Sequence, residues 1–489
     1  MPVALSAASL DALPARVRAP RHDRAALTPG ILHVGVGNFH RAHQAVYLDD
    51  LFGQGRDHDW GILGAGVMPG DARVRAALEG QDFLTTVVEQ SVEASRARVT
   101  APMTGFLPVA DGPAIAAALA DPAIRIVSLT VTEGGYFIDG TGAFDAAHPA
   151  IAADAAAPEA PCTVFGLILA GLARRRAAGH APFTVMSCDN IPHNGDVVRR
   201  VVTGLADLVD PALGAWVGAE VAFPNSMVDR ITPATGARER RLAAEAHGIE
   251  DAWPVFCEDF RQWVLEDRFP AGRPALEEVG VQFVTDVTPF ELMKIRVLNG
   301  GHAAIAYPAA LLGIEFAHEA MAEPLVARFL ARLHREEIVP TIPPVPDTDI
   351  AGYVALIGRR FANPKIADTV RRLAHDGSNR QPRFIVPTLA DRLEGGGGIE
   401  GLALVSALWC RYCHGTTESG ATVEPNDPAW EALQARARTA RETPGAWLAM
   451  REVYGDTGEH PRFRAAFAEA LGRVWDEGTA AALAAYGRD

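Results

Sequence analysis

The first part of the chain alternates short apolar runs with longer stretches of helical character. Runs rich in Val, Ile, Leu and Phe are separated by Ala- and Leu-rich segments, which is the pattern of a parallel sheet covered by helices. The predicted strands span residues 31–36, 61–67, 83–89, 124–132, 183–187, 220–223 and 281–287.

From residue 288 onward the apolar residues recur at helical spacing. The predicted helices span residues 290–312, 319–337, 350–361, 365–375, 402–413 and 429–443, with turns at 340–346 and 395–398. We therefore predict an α/β protein with two domains. Residues 1–285 are expected to form an N-terminal expanded Rossmann domain that binds a dinucleotide. Residues 286–489 are expected to form a mostly α-helical C-terminal domain for substrate binding and catalysis.

Charge and composition exclude several classes of partner. The formal net charge is −15, and no Lys- or Arg-rich stripe offers a surface to phosphates, so we expect no nucleic acid. No window approaches 18 consecutive apolar residues, and the N-terminus lacks the pattern of a secretory signal, so we expect a cytoplasmic protein without a membrane span. The five scattered cysteines suit a reducing compartment.

Two glycines follow the first predicted strand with the spacing of a dinucleotide-binding turn. Gly35 would allow the tight turn, and Gly37 would let the backbone approach a pyrophosphate at a helix N-terminus. His40 replaces the third glycine of the common fingerprint, so an ordinary strand–turn–helix is an equal alternative. Two histidines three residues apart, His40 and His43, lack a nearby third ligand, and we expect no metal. The predicted cofactor-binding residues of this turn are Gly35, Gly37, Asn38, Phe39, His40 and Arg41.

An acid, Asp71, follows the second predicted strand. A carboxylate at this place can hold the ribose hydroxyls of NAD and repel the 2′-phosphate of NADP. The alternative is a turn residue after Pro69 and Gly70. The prediction is NAD as the cofactor, with NADP as a minor one.

Lysine is rare in this chain. Of 45 Lys and Arg residues, only Lys294 and Lys365 are lysines. Oxidation of a secondary alcohol needs a base that titrates near the working pH. Lysine can reach a pKa of about 7–8 through burial and its neighbours, whereas the pKa of arginine stays above about 12. We therefore predict Lys294 as the general base, with an ordinary surface lysine as the alternative.

Asn299 and His302 follow Lys294 in the same predicted helix. On an ideal α-helix His302 lies about 80° and Asn299 about 140° around the axis from Lys294, so the three share one side. An amide can donate hydrogen bonds to an alkoxide without competing for its proton. Asn299 as a capping residue and His302 as a core histidine remain alternatives. Gly300 and Gly301 permit close packing or a local irregularity here.

Together with five further segments, this motif resembles the polyol-specific long-chain dehydrogenases. The matching segments span most of residues 31–387, and they are 35–43 (GVGNFHRAH), 132–136 (TEGGY), 187–195 (SCDNIPHNG), 223–233 (FPNSMVDRITP) and 376–380 (DGSNR).

The resemblance implies a metal-independent enzyme that interconverts D-mannitol and D-fructose with NAD. By that similarity Lys294 is the general base, Asn190 and Asn299 bind the reacting oxygen, and His302 orients the substrate. Glu291 resembles a carboxylate that guards a water path for the proton. The residues expected near the polyol hydroxyls are Val228, Asp229, Arg372 and Arg380.

Other hypotheses stay open. Asn190 follows a predicted strand, where it is equally suited to a turn or cap. Fructuronate reductase and D-arabinitol dehydrogenase resemble the same segments, and Arg372 and Arg380 would serve a hydroxyl or a carboxylate. A Schiff-base enzyme would use Lys294 as a nucleophile, although the turn at Gly35 speaks against it. A sensing protein would not need a titratable lysine. No oligomeric state is predicted.

Overall fold

The computed structural model describes residues 1–139 and 142–487. The chain forms two compact units, the first ending at Val287 and the second beginning at Thr288. The first contains a parallel Rossmann-type sheet and the second is built from helices. The predicted fold class is thereby confirmed.

The first unit contains all the described strands and nine α-helices of the described residues. Its strands are β1 (Val3–Ala4), β2 (Pro29–Val34), β3 (Gly61–Ala65), β4 (Thr85–Gln90), β5 (Ser95–Thr100), β6 (Met103–Phe106), β7 (Ile126–Leu129), β8 (Thr184–Ser187), β9 (Ser226–Asp229), β10 (Ile249–Glu250), β11 (Val255–Glu258), β12 (Gln262–Glu266) and β13 (Gln282–Val284). Its helices are α1 (Asn38–Ala42), α2 (Gln44–Phe52), α3 (Asp71–Glu79), α4 (Gly112–Ala120), α5 (Pro149–Ala156), α6 (Val164–Ala178), α7 (Asn194–Val209), α8 (Pro211–Glu220) and α9 (Ala237–Leu242).

A five-stranded parallel sheet lies at the centre of the first unit. Its order is β6-β3-β2-β7-β8, so the chain winds outward from β2 in one direction and returns on the other side through β7. In such sheets ligands bind beyond the carboxyl ends of the strands, where the order reverses. That place is the end of β2 and β7. Smaller sheets, β11-β4-β5, β13-β12-β9 and β1-β10, complete the unit.

The second unit is a set of packed helices. They are α10 (Thr288–Met293), a π-helix (Lys294–Asn299), α11 (Gly300–Leu311), α12 (Ala317–Ala322), α13 (Pro324–Leu333), a second π-helix (His334–Ile338), α14 (Ile350–Phe361), α15 (Val370–Ala374), α16 (Gly377–Phe384), α17 (Val386–Glu394), α18 (Glu400–Cys413), α19 (Trp430–Ala440), α20 (Gly445–Leu448), α21 (Arg451–Tyr454), α22 (Pro461–Asp476) and α23 (Thr479–Tyr486).

Some predicted elements were wrong for identifiable reasons. The strand expected at 220–223 is absent because α8 continues to Glu220, and the strand of this region begins only at Ser226. Pro224 has no N–H with which to continue a ladder. The helix expected at 319–337 is broken before Pro324, which begins a new helix at its first position. The helix expected at 365–375 begins only at Val370, after Thr369 has capped it.

None of the helices in the described ranges is long and apolar enough to span a membrane.

Candidate active site

The loop after β2 has a conformation that requires glycine at one position. Gly35 has φ of 94°, and a Cβ there would lie 2.1 Å from the carbonyl oxygen of Thr130. The Gly35 N–H donates to the Ala65 carbonyl at 3.1 Å, and the Thr130 hydroxyl donates to the Gly35 carbonyl at 2.6 Å. A Cβ at Gly37, by contrast, would meet its nearest atom at 3.8 Å. The turn thus depends on Gly35, whereas the exposed backbone at Gly37 is open to a ligand.

The side chains that follow the turn bind other loops of the first unit. The Asn38 amide donates to the Pro233 carbonyl at 3.0 Å and to the Thr235 hydroxyl at 2.9 Å. The Arg41 guanidinium, 1% exposed, donates to the Trp253 carbonyl at 2.6 Å and to Asn38 Oδ1 at 2.9 Å. These side chains therefore hold the turn in place.

Three histidines are buried beside this turn. The His33 and His40 rings are stacked at 3.4 Å, and Phe39 is stacked on His43 at 4.9 Å. Burial lowers the pKa of His33 and of His43 to about 3 each, and it lowers the pKa of His40 well below its usual value. All three rings are therefore neutral at pH 7. No group of three or more His, Cys, Asp or Glu within the described ranges could hold a metal ion.

These lowered pKa values predict acid-sensitive stability. The unfolded chain binds more protons than the folded chain once the pH falls below about 6.5, so the free energy of unfolding decreases as the pH falls towards 3. The His43 Nε2 contacts the Gln262 carbonyl at 2.9 Å, and His43→Gln retains a donor that does not titrate. The free energy of unfolding is measured by urea titration at several pH values between 4 and 6. Its slope against pH should be shallower in this variant than in the wild type by about 1.4 kcal/mol per pH unit. The control His180→Gln, at an exposed position, should keep the wild-type slope, and an unchanged slope for His43→Gln would contradict the assignment.

Asp71 begins α3 and is half-buried. Its Oδ2 accepts the Met68 N–H at 2.9 Å, and its Cβ would lie 2.6 Å from a Cβ at Gly66. The carboxylate therefore closes the turn after β3, as the turn-residue hypothesis supposed. The same turn follows the second strand of the Rossmann sheet, where the ribose hypothesis also requires an acid.

Asn190 lies in a braced loop after β8. The neighbouring Asp189 carboxylate accepts the N–H groups of Val131 and Thr132 at 2.9 and 3.1 Å and the Tyr136 hydroxyl at 2.6 Å. The next helix is capped at His193, so Asn190 is not its N-cap. Asn190 is exposed, and the loop presents it beyond the carboxyl end of a strand.

Val228 and Asp229 end β9, where they pair with β12. Val228 lies opposite Trp263 and Asp229 opposite Gln262. Both are buried, at 1% and 5% exposure. They are held by the sheet rather than by a loop.

In the second unit, Lys294, Asn299 and His302 lie on one continuous helical segment that is not a regular α-helix. Residues Lys294–Asn299 form a π-helix, and the Gly300 N–H donates five residues back to the Ile295 carbonyl. Because i→i+5 bonding takes more residues per turn than α-helical bonding, the angle between Lys294 and Asn299 is smaller than the ~140° of an ideal α-helix. The two side chains are therefore nearer to one face than in a regular α-helix.

The structural alternatives are weakened for Lys294 and Asn299, whereas the surroundings of His302 also suit a core histidine. Lys294 is buried at 8% exposure, so it is not a surface lysine. Asn299 makes no side-chain capping bond. His302 is buried, and its ring is stacked on Phe361 at 4.1 Å with 20° between the planes.

Positive charge surrounds His302. Burial lowers the pKa of His302 well below its usual value, and the guanidinium groups of Arg372, Arg380 and Arg360 lower it further. The Arg372 guanidinium binds both oxygens of Asp368, and Arg380 Nη1 donates to the Leu373 carbonyl at 2.6 Å. The second unit thus brings His302 together with the two predicted substrate-binding arginines.

Glu291 lies one helical turn before Lys294 and is 5% exposed. The expected role of Glu291 on a proton path requires a carboxylate close to the lysine, and this position in the helix agrees with that requirement.

Three residues near this cluster were missed from the sequence. They are Arg360, Phe361 and His334, and all come from helices distant in the chain. The signal that pointed towards them is the pair Gly300 and Gly301. A Cβ at Gly301 would lie 3.0 Å from His334 Nε2 and 3.2 Å from Phe361 Cε2.

Family models match both units. The mannitol dehydrogenase Rossmann domain matches residues 29–278, and the mannitol dehydrogenase C-terminal domain matches residues 286–475. The chain belongs to the mannitol dehydrogenase family. The resemblance proposed from the sequence motifs is thereby confirmed.

Several known proteins are similar to this chain over nearly its whole length. A mannitol 2-dehydrogenase of Cereibacter sphaeroides is 63% identical, covering 96% of this chain and 98% of that protein. The structure of Pseudomonas fluorescens mannitol 2-dehydrogenase in ternary complex with NAD and D-mannitol is 43% identical, with a TM-score of 0.89 and 99% of each chain covered. A D-sorbitol dehydrogenase in substrate-free form is 36% identical, with a TM-score of 0.90, 98% of this chain and 100% of that chain covered.

Proposed function

We propose that this chain oxidises D-mannitol to D-fructose with NAD and catalyses the reverse reduction. The observation that carries the proposal is the full-length likeness to the Pseudomonas fluorescens enzyme, whose structure contains both NAD and D-mannitol. The 63% identity to another mannitol 2-dehydrogenase supports it. The buried lysine and the asparagine of the π-helix supply the residue types that the reaction needs.

The first unit suits a dinucleotide. Gly35 provides the tight turn, and the open backbone at Gly37 lies at the start of a helix, where a pyrophosphate would accept N–H bonds. NAD, when bound, supplies the hydride acceptor. The residues proposed to hold it are Gly35, Gly37, Asn38, Phe39, His40, Arg41 and Asp71.

Lys294 is proposed to remove the hydroxyl proton of the substrate. Its burial excludes competing water, and lysine can give up its own proton where arginine cannot. Asn299 would then donate a hydrogen bond to the oxygen on which negative charge develops, and Asn190 is proposed for the same role. Glu291 would pass the proton on towards solvent.

His302 is proposed to orient the substrate. Its stacking on Phe361 holds the ring plane, and its lowered pKa keeps the ring neutral, so it can donate and accept hydrogen bonds with polyol hydroxyls. The residues proposed to bind the remaining hydroxyls are Val228, Asp229, Arg372 and Arg380.

A sugar acid is a less suitable substrate than a polyol. The Nε and Nη2 groups of Arg372 already donate to the two oxygens of the Asp368 carboxylate. A substrate carboxylate would have to displace Asp368 in order to form the bidentate pair that favours it. This contact favours a polyol over D-mannonate.

D-sorbitol is the second candidate substrate, because a D-sorbitol dehydrogenase matches the fold at a TM-score of 0.90. The test is a panel of D-mannitol, D-sorbitol, D-arabinitol and D-mannonate, each with NAD and with NADP, measured as kcat/KM. We expect D-mannitol with NAD to give the highest value. A preference for D-mannonate would contradict the proposal, and a preference for D-sorbitol would replace the substrate while keeping the reaction.

Asp71→Asn tests the proposed choice of cofactor. The amide oxygen can still accept the Met68 N–H, but the variant no longer repels a 2′-phosphate. We expect the ratio of kcat/KM for NAD to that for NADP to fall by about tenfold, which corresponds to about 1.4 kcal/mol. Glu79→Gln, at the other end of α3, is the control and should leave the ratio unchanged. An unchanged ratio in Asp71→Asn would remove this residue from cofactor selection.

We also propose a cytoplasmic setting without nucleic-acid or membrane partners. The five cysteines are free thiols, which suits a reducing compartment. The formal net charge of −15 does not attract polyanions such as nucleic acids.

A further inference from the structure

The π-helix that carries Lys294 is contacted by a buried histidine from another helix. His334 begins the second π-helix and is 2% exposed. Its Nε2 lies 3.0 Å from the carbonyl oxygen of Val297, in the middle of the first π-helix. A carbonyl oxygen can only accept, so Nε2 is the donor. Burial lowers the pKa of His334 to about 4, so this ring is neutral at pH 7 and carries a single N–H.

The contact lies where π-helical bonding gives way to α-helical bonding. The i→i+5 bonding of a π-helix inserts a residue into the helix and disturbs the backbone ladder where α-helical bonding resumes. The Gly300 N–H is shared between the Ile295 and Val297 carbonyls, and the His334 N–H is a second donor to Val297 at this place. Val297 lies in this stretch, three residues before Gly300, where the α-helical α11 begins.

The surrounding residues make room for the imidazole. A Cβ at Gly301 would lie 3.0 Å from His334 Nε2 and 3.2 Å from Phe361 Cε2. Glycine at this position therefore lets the His334 and Phe361 rings approach the helix together. The same Phe361 ring is stacked on His302. The His334 and Phe361 rings together therefore contact the π-helix and His302, which is predicted to orient the substrate.

We propose that His334 is a positioning residue that holds the π-helix, and thereby sets the alignment of Lys294 with Asn299. In a regular α-helix these side chains would lie about 140° apart, farther around the helix axis than i→i+5 bonding places them. The inference rests on the proposed roles of Lys294 and Asn299. His334 itself does not touch the substrate.

The test compares His334→Leu, which removes the donor, with His334→Gln, which retains one. Thr341→Val is the matched control, because it removes the bond from the Thr341 hydroxyl to the Ile338 carbonyl, 2.7 Å long, beside the second π-helix. Two quantities are measured for each variant: kcat and KM for D-mannitol, and the hydrogen exchange of the peptide covering residues 294–301. Thermal unfolding temperatures show how far each variant is destabilised.

We expect His334→Leu to lower kcat by roughly tenfold to a hundredfold, with a smaller change in KM, and to speed exchange in residues 294–301. His334→Gln should recover most of both, and Thr341→Val should change neither. The inference is overturned if His334→Leu leaves kcat within about twofold of the wild type and its exchange unchanged, or if the Gln variant is as impaired as the Leu variant.

Two further measurements keep the test decisive. If His334→Leu does not fold, Gly301→Ala replaces it, since the added Cβ would lie 3.0 Å from His334 Nε2 and would push the imidazole back by a few tenths of an ångström. Unchanged kcat and exchange there would also overturn the inference. If the wild-type chain oxidises none of the polyols, the proposed function fails. The exchange data would then still decide whether His334 holds the π-helix.

Discussion

Lys294→Ala is expected to lower kcat for D-mannitol oxidation by about 10²–10⁴-fold, the usual contribution of a positioned general base. KM for NAD should stay near the wild-type value, because the residues proposed to hold the cofactor are unchanged in this variant. Initial rates of NADH formation, with a fluorescence titration of NAD, measure both. The thermal unfolding temperature is measured for the same variant, so that a loss of rate can be distinguished from a loss of the fold.

The controls follow from the rarity of lysine in this chain. Lys294→Arg keeps a positive charge that cannot be lost, so it should be as inactive as Lys294→Ala. Lys365→Ala removes the other lysine, which is half-buried outside the π-helix, and should retain wild-type kcat. An active Lys294→Arg variant would show that the residue supplies charge rather than base catalysis.

Gly35→Ala is expected to destabilise the first unit by about 3 kcal/mol or more. Two costs combine: φ of 94° is strained for any residue with a Cβ, and that Cβ would lie 2.1 Å from the Thr130 carbonyl oxygen. Relieving the overlap would move β2 away from β7, which pair along their length. The variant should unfold at a clearly lower temperature and bind NAD weakly.

Gly37→Ala separates stability from cofactor binding. Its Cβ would meet no atom closer than 3.8 Å, and its φ of −92° suits any residue. We expect the unfolding temperature to remain that of the wild type while NAD affinity falls by about tenfold, since the methyl group occupies the space through which a pyrophosphate would approach. Normal NAD affinity would contradict the proposed site, and wild-type stability of Gly35→Ala would contradict the account of the turn.

The parallel sheet and the turn at Gly35 could be predicted from the sequence because their signals are local. A buried parallel strand is an apolar run, and the glycines that follow it are adjacent in the chain. Short strands such as β6 and β9 could not, because four residues of mixed polarity carry too little periodicity. Their place is decided by pairing with strands far away in sequence.

The candidate site shows the same limit. Lys294 stood out by composition alone, and Gly300 and Gly301 permitted close packing or a local irregularity. The π-helix itself was not predicted, because whether the backbone bonds four or five residues apart depends on tertiary contacts such as the one from His334. The arginines around His302 likewise come from separate helices that only packing brings together.

The most direct test of the central claim follows the hydrogen that leaves the substrate carbon. Purified protein is incubated with NAD and D-mannitol that carries deuterium at C2 and C5, and the masses of NADH and fructose are determined. We predict that every NADH formed carries one deuterium and that an equal amount of D-fructose appears. Deuterium released into water, or sugar turnover without NADH, as a Schiff-base lysine enzyme would give, would contradict the account.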